Sequence, residues 1–126
     1  MNSCNCVFMD IARAAGTDTM YDYLGAFGLT AKTGIDVSGE GSSIMLARDS
    51  VKTVDLARIG FGQAIAVTPI GLASAVCSVL NGGRLMQPYV LSTLTDADGK
   101  IVYSNTSTEK GKTVSESTSA AMKEYL

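Results

Sequence analysis

The segment from Thr68 to Gly83 constrains the fold more than any other part of the sequence. Thr68 offers a hydroxyl to cap a helix, and Pro69 falls in the first turn, where its missing N–H costs nothing. Ile70, Leu72, Ala73, Val76, Cys77, Val79 and Leu80 then surround most of the circumference, and Asn81-Gly82-Gly83 ends the helix. A helix apolar on nearly every side is expected to be buried on nearly every side, so the rest of the chain should pack around it.

At 126 residues the chain fits a single compact domain with one modest core. Hydrophobic residues make up 46% and charged residues 17%, which argues against disorder and leaves less surface charge than a free-standing small domain usually carries. The net charge of -2, from 10 basic and 12 acidic residues spread along the chain, gives no electrostatic footprint for nucleic acid. Without histidine, Cys4, Cys6 and Cys77 fall short of the four ligands of a structural zinc site. Neither a metal nor another cofactor is expected, and the three thiols read as small apolar fillers. The longest apolar runs are far shorter than the roughly 20 residues that span a bilayer.

Helices are expected through about residues 3–82. From Cys4 to Ala15, Val7, Ile11, Ala14 and Ala15 follow helical spacing, and Gly16 is placed to stop the helix. Thr17 can cap a second helix, in which Met20, Leu24 and Phe27 share a face before Gly28. Thr30 to Ser43 carries three glycines without a sustained period and reads as a surface loop. Ser50 can cap a third helix running to Gly60-Phe61-Gly62-Gln63. A β-hairpin is expected over about 85–104, with Tyr89-Val90-Leu91 and Lys100 to Tyr103 as its strands around Asp98-Gly99. Asn105 to Lys112 reads as a polar loop. Thr113 and Glu116, at capping-box spacing, can start a terminal helix over about 114–126 that meets Leu126 without a stop signal.

Three short strings match the motifs of serine acyl transferases that react with β-lactams: a Ser-x-x-Lys nucleophile, a Ser-x-Asn triplet and a Lys-Thr-Gly strand. Ser107 to Lys110 has the first spacing but lies in a polar loop, whereas the nucleophile needs the first turn of a buried helix. Lys32-Thr33-Gly34 has the third, but the glycines and acids that follow it cannot pair as a central strand. Ser3-Cys4-Asn5 stands at the mouth of an apolar helix, where a hydroxyl and an amide two positions apart can relay a proton and hold a substrate amide. From these residues alone an ordinary N-cap by Ser3 or Asn5 is the simpler reading.

The wider pattern changes that balance. Asn2 to Asn5, Phe27-Gly28-Leu29 running into Lys32 to Glu40, Gly60 to Pro69, Asn81-Gly82-Gly83 and Pro88-Tyr89 resemble, in order and spacing, the transpeptidase domain of class B penicillin-binding proteins. In that family the Lys-Thr-Gly-Ile-Asp string is a loop, the nucleophile motif precedes Ser-x-Asn by many residues, and the catalytic lysine strand follows the helix that here begins near Thr113. The residue after Gln63 is usually glycine; here it is Ala64.

The resemblance implies a mainly α fold with a small β-hairpin: residues 1–126 as a partial β-lactamase/transpeptidase-like domain lacking the central five-stranded sheet. It further implies a parent enzyme that cross-links peptidoglycan stem peptides through a serine acyl-enzyme and is acylated by β-lactams. Ser3 would relay the proton, Asn5 would bind the acyl side chain of the donor, and Gln63 would support the site structurally. The parent would be anchored in the bacterial cytoplasmic membrane with its catalytic domain on the outer face and serve cell division or sporulation. Other cell-wall synthesis proteins are its candidate partners. The chain itself is expected to be an inactive, soluble fragment, prone to self-association, with its nucleophile before Met1 and its lysine strand after Leu126. The alternative is a non-catalytic helical interaction module of a cell-wall protein.

Overall fold

A computed structural model describes residues 4–125. In chain order the elements are α1 (Asn5–Ala26), β1 (Ile44–Met45), a 3-10 turn (Arg48–Ser50), α2 (Thr53–Gly60), β2 (Ile65–Ala66) and α3 (Pro69–Leu80). There follow β3 (Arg84–Met86), β4 (Thr93–Thr95), β5 (Ile101–Ser104), β6 (Glu109–Lys112) and α4 (Glu116–Tyr125). The strands form three separate antiparallel pairs, β1 with β2, β3 with β6 and β4 with β5. The described residues are thus mainly helical, with short ribbons and no extended sheet.

Gly16 interrupts α1 as its sequence suggests, with φ 82 and ψ 164 dividing the helix into two arms. Thr68 caps α3, its hydroxyl accepting the Gly71 N–H at 3.2 Å, with Pro69 in the first turn. Ser50 does not cap α2. It closes the 3-10 turn, and Lys52 becomes the N-cap residue, its N–H donating to the Asp55 carboxylate at 3.1 Å.

The expected burial of α3 is corrected. Gly71, Ala75 and Ser78 are buried, whereas Leu72 and Val76 are 50% and 46% exposed and Cys77 is open to solvent. Its inner face docks through small residues, which permit close approach, and nothing in the described chain covers its outer face. Cys4 and Cys6 are exposed as well, so the thiols are not core fillers. The buried apolar residues are Ala12, Leu56, Ala57, Ile59 and Ala75.

The hairpin is also shifted. Tyr89-Val90-Leu91 is not a strand, because the Asp36 carboxylate accepts the Val90 and Leu91 N–H groups at 2.8 and 2.9 Å and removes them from any ladder. Pairing starts instead at Thr93 opposite Ser104, and the Asp96 to Lys100 turn closes it, with the Asp96 carboxylate accepting the Asp98 and Lys100 N–H groups. Glu109 to Lys112, read as loop, forms β6 against β3.

These two N–H donors depress the Asp36 pKa. A carboxyl whose folded pKa lies below its unfolded value stabilises above the unfolded range, near pH 4, and loses that contribution as pH falls through the depressed folded value. Acid titration should therefore release residues 89–91 from the 33–40 loop before the helices melt. The Val90 and Leu91 amide proton shifts report this directly, and shifts unchanged through that titration would contradict it.

Ala64 is the non-glycine residue with positive φ among the described residues, at 63. A left-handed conformation costs an L-residue about 1–2 kcal/mol, which accounts for a glycine preference here without invoking a close backbone approach. Glycine's larger unfolded-state entropy cancels about 0.4–1 kcal/mol of that. Ala64→Gly should stabilise by roughly 0.5 kcal/mol, and an unchanged or lower urea midpoint would refute the assignment of strain.

Candidate active site

Asn5 is the first residue of α1 and is exposed; Ser3 lies outside the described residues. Cys4 is the N-cap residue, and among the described residues no side chain makes a cap hydrogen bond there. Asn5 therefore does not serve as the cap. The first arm of α1 carries Val7, Phe8 and Ile11 at 53%, 46% and 56% exposure, so an apolar surface borders the Asn5 position.

The position of Asn5 is set by how α1 lies on α2, and that approach depends on Gly60. A Cβ on Gly60 would stand 2.5 Å from the Ala12 Cβ and 2.8 Å from the Phe8 carbonyl oxygen. Glycine at the last residue of α2 thus lets the two helices touch at Phe8 and Ala12, about one and two turns beyond Asn5. Ala12 is 1% exposed at this contact. The sequence marks Gly60 as a helix end but not as a helix contact; the available signal is a glycine closing an amphipathic run that carries Leu56, Ala57 and Ile59.

Gln63 follows in the turn after α2, its N–H donating to the Arg58 carbonyl at 2.9 Å, with its side chain exposed. Its backbone bond, with that of the Gly62 N–H to the Ile59 carbonyl and the positive φ of Gly62, closes α2 and turns the chain into β2, which pairs with β1. The structure does not bring Gln63 and Asn5 into a hydrogen bond; the elements that carry them meet through Gly60 and α1.

Lys32-Thr33-Gly34 is a loop, as its neighbours suggest. Glu40 fixes it by accepting from the Thr33 N–H at 2.6 Å, the Thr33 hydroxyl at 2.7 Å and the Gly34 N–H at 3.0 Å. These bonds, led by the Thr33 hydroxyl, hold the Glu40 carboxyl below its ordinary pKa. A threonine spent on a glutamate cannot donate to a substrate carboxylate. Ser107 lies in a loop and Lys110 on β6, so that pair does not share a helical turn.

The other end of α3 is joined to the C-terminal segment by a buried hydroxyl network. Ser78, fully buried, donates to the Ala75 carbonyl at 2.7 Å and lies 3.0 Å from the Thr113 hydroxyl. Thr113 in turn donates to the Gly83 carbonyl through both its N–H and its hydroxyl, at 2.7 and 3.2 Å. Ser119, 1% exposed, accepts the Gly82 N–H at 3.0 Å. Thr113 is therefore not the α4 cap; Ser115 fills that role, its hydroxyl accepting the Thr118 N–H at 3.1 Å. On the far side Arg48 bridges Asp18 and Asp22 at 2.8 and 3.0 Å, an exposed pairing of small energetic weight.

Known proteins share the fold of this chain. The model of the penicillin binding protein transpeptidase domain matches residues 1–126. Stage V sporulation protein D of Bacillus subtilis is 36% identical over 126 residues, covering 99% of this chain and 20% of the relative. Peptidoglycan D,D-transpeptidase PbpA of Mycolicibacterium smegmatis is 26% identical, with 98% and 25% covered. Penicillin-binding protein A from M. tuberculosis, solved as a penicillin G acyl-enzyme complex, superposes with a TM-score of 0.86 at 25% identity, covering 97% of this chain and 28% of that one. The chain spans a fifth to about a quarter of the length of these two sequence relatives. Its four helices and isolated ribbons are accordingly part of a larger domain, and the chain belongs to the penicillin-binding protein transpeptidase family.

Proposed function

We propose that this chain supplies the Ser-x-Asn segment, Ser3 and Asn5, to a peptidoglycan D,D-transpeptidase whose nucleophile and catalytic lysine strand belong to other parts of the full-length protein. In such a site a serine Oγ bonds to the carbonyl carbon of the penultimate D-Ala, the D-Ala-D-Ala amide C–N bond breaks, and the leaving amine takes a proton through the Ser3 hydroxyl. An amine from a second stem peptide then attacks the ester and regenerates the serine. Asn5 holds the acyl side chain of the donor in line, which is worth about a hundredfold in rate when misplacement is the alternative. β-Lactams acylate the same serine.

The observation that carries this reading is the exposed Asn5, whose side chain makes no hydrogen bond among the described residues, at the start of a helix whose adjoining face is apolar and open. That surface fits further layers of the same domain, and acyl-enzyme complexes of a relative that superposes on nearly the whole chain support the chemistry. The isolated chain is proposed to be inactive, since effective acylation needs nucleophile, base and oxyanion donors in one constellation. A fluorescent penicillin should label the full-length protein and not this chain, and Asn5→Ala in the full-length protein should slow labelling about a hundredfold. Stable labelling of the isolated chain at a serine would overturn this assignment.

A second reading, a non-catalytic helical interaction module, has one observation in its favour: the Ser78, Thr113 and Ser119 network closes entirely within this chain. Sedimentation of the isolated chain separates the two. A monodisperse species with cooperative unfolding favours the module, while self-association through the open faces of α1 and α3 favours the transpeptidase segment.

A further inference from the structure

A cavity of about 340 Å³ opens between the end of α1, α3 and the β3–β6 ribbon, away from Asn5. Its lining includes Lys32, Lys110 and Lys112 and contains no Asp or Glu. In a chain with more acidic than basic residues, three lysines around one cavity with no Asp or Glu in its lining are not expected from composition. Glu40, outside the lining, keeps its negative charge within reach of Lys32 while its oxygens accept from Thr33 and Gly34, which leaves Lys110 and Lys112 as the lysines without a carboxylate among the lining residues.

One feature of the backbone favours an anion here, and a second lessens what opposes it. In the β3–β6 ladder Arg84 opposes Lys112, Leu85 opposes Gly111 and Met86 opposes Glu109, which leaves Lys110 as the extra residue of a β-bulge. Bulges re-aim a side chain, and this one accompanies a lysine at the cavity wall. The C-terminal carbonyls of α1, which would repel negative charge, are occupied: Tyr23, Gly25 and Leu24 accept from the Phe27, Gly28 and Leu29 N–H groups, each at 2.9 Å. Phe27, Leu85 and Met86 add an apolar part to the lining.

We propose that this cavity binds a small anion, a carboxylate or phosphate group on a compact apolar body, through Lys32, Lys110 and Lys112. The ammonium groups donate charge-assisted hydrogen bonds to the anionic oxygens while the apolar body rests on the aromatic and aliphatic part of the lining. The proposal does not rest on the transpeptidase assignment, since Asn5 is not among the lining residues.

The test is a titration of the full-length protein, isotopically labelled over this chain, with phenyl phosphate and, separately, benzene-1,3-dicarboxylate at constant ionic strength, following the Gly28, Gly111 and Lys112 amides. At least one probe should saturate with a Kd below about 1 mM. Saturation by the phosphate alone assigns a phosphate ligand, and saturation by the dicarboxylate assigns a carboxylate. The Lys110→Gln/Lys112→Gln double variant should weaken binding at least tenfold, and Lys32→Gln, from a separate loop, should weaken it as well. Lys123→Gln on α4 serves as the charge control and should bind as the parent does. Failure of both probes to saturate, wild-type binding by the double variant or by Lys32→Gln, or an equal loss in Lys123→Gln overturns the proposal.

Discussion

Gly83→Ala is expected to remove a large share of the stability of the chain. Gly83 has φ 88, and a Cβ there would overlap the Val114 carbonyl oxygen, with the Val114 carbon at 2.9 Å and its nitrogen at 3.3 Å. All three are backbone atoms, so no side-chain rotation relieves the overlap. The same residue is tied at both ends, its N–H to the Ser78 carbonyl at 2.9 Å and its carbonyl to Thr113. Displacing the chain would break the buried Ser78–Thr113 network, whose hydroxyls have no water to turn to. Left-handed strain, overlap and lost hydrogen bonds together exceed about 4 kcal/mol, a large share of the 5–15 kcal/mol that a domain possesses. Gly82→Ala is the internal control: its φ is 90, but its nearest contact is the Glu116 Cγ at 3.9 Å, so it carries backbone strain of about 1–2 kcal/mol alone. Thermal unfolding by circular dichroism should rank wild type, Gly82→Ala and Gly83→Ala in falling order. Equal melting of the two variants would mean that the approach to Val114 has no energetic consequence.

Gly60→Ala should destabilise by about 2–3 kcal/mol, against the sign that helix propensity gives. Alanine is favoured over glycine in a helix by about 1 kcal/mol, and Gly60 has an ordinary helical φ, so the local effect is stabilising. Packing reverses it, because the new methyl would meet Ala12 at 2.5 Å and the Phe8 carbonyl at 2.8 Å. Relief requires α1 to move off α2, carrying Asn5 with it. The variant should therefore lose both urea stability and, in the full-length protein, penicillin acylation rate. Ala12→Gly combined with Gly60→Ala removes the methyl–methyl overlap but not that with Phe8, so the double mutant should recover part of the loss. A Gly60→Ala protein more stable than wild type would show that propensity governs this position.

Features encoded within a few residues of each other were legible in the sequence. The Thr68 hydroxyl, Pro69 and Asn81 delimit α3 wherever it is placed, because capping is a local matter. Gly16 breaks α1 for the same reason. The loop character of Lys32 to Gly34 was clear from its glycines and acids, while the Glu40 bonds that lock it were not. The pairing of Arg84–Met86 with Glu109–Lys112 had no local signal, since Glu-Lys-Gly-Lys has weak strand propensity and its partner lies far back in the chain. Thr113 had the spacing of a cap and became instead a buried donor to Gly83, a role visible only when α3 and α4 are brought together.

The sequence by itself determined the family resemblance, the limits of its clearest helix and which of three motif-like strings stands at a helix mouth, all properties of spacing and local backbone preference. Only the tertiary structure decided that Gly60 sets the approach of the helix bearing Asn5, that Asp36 moves the hairpin down the chain, and that an apolar helix leaves one face open. Each of these depends on which distant groups arrive at a shared surface. Hydrophobic periodicity states what a face prefers; long-range packing decides whether anything is there to cover it.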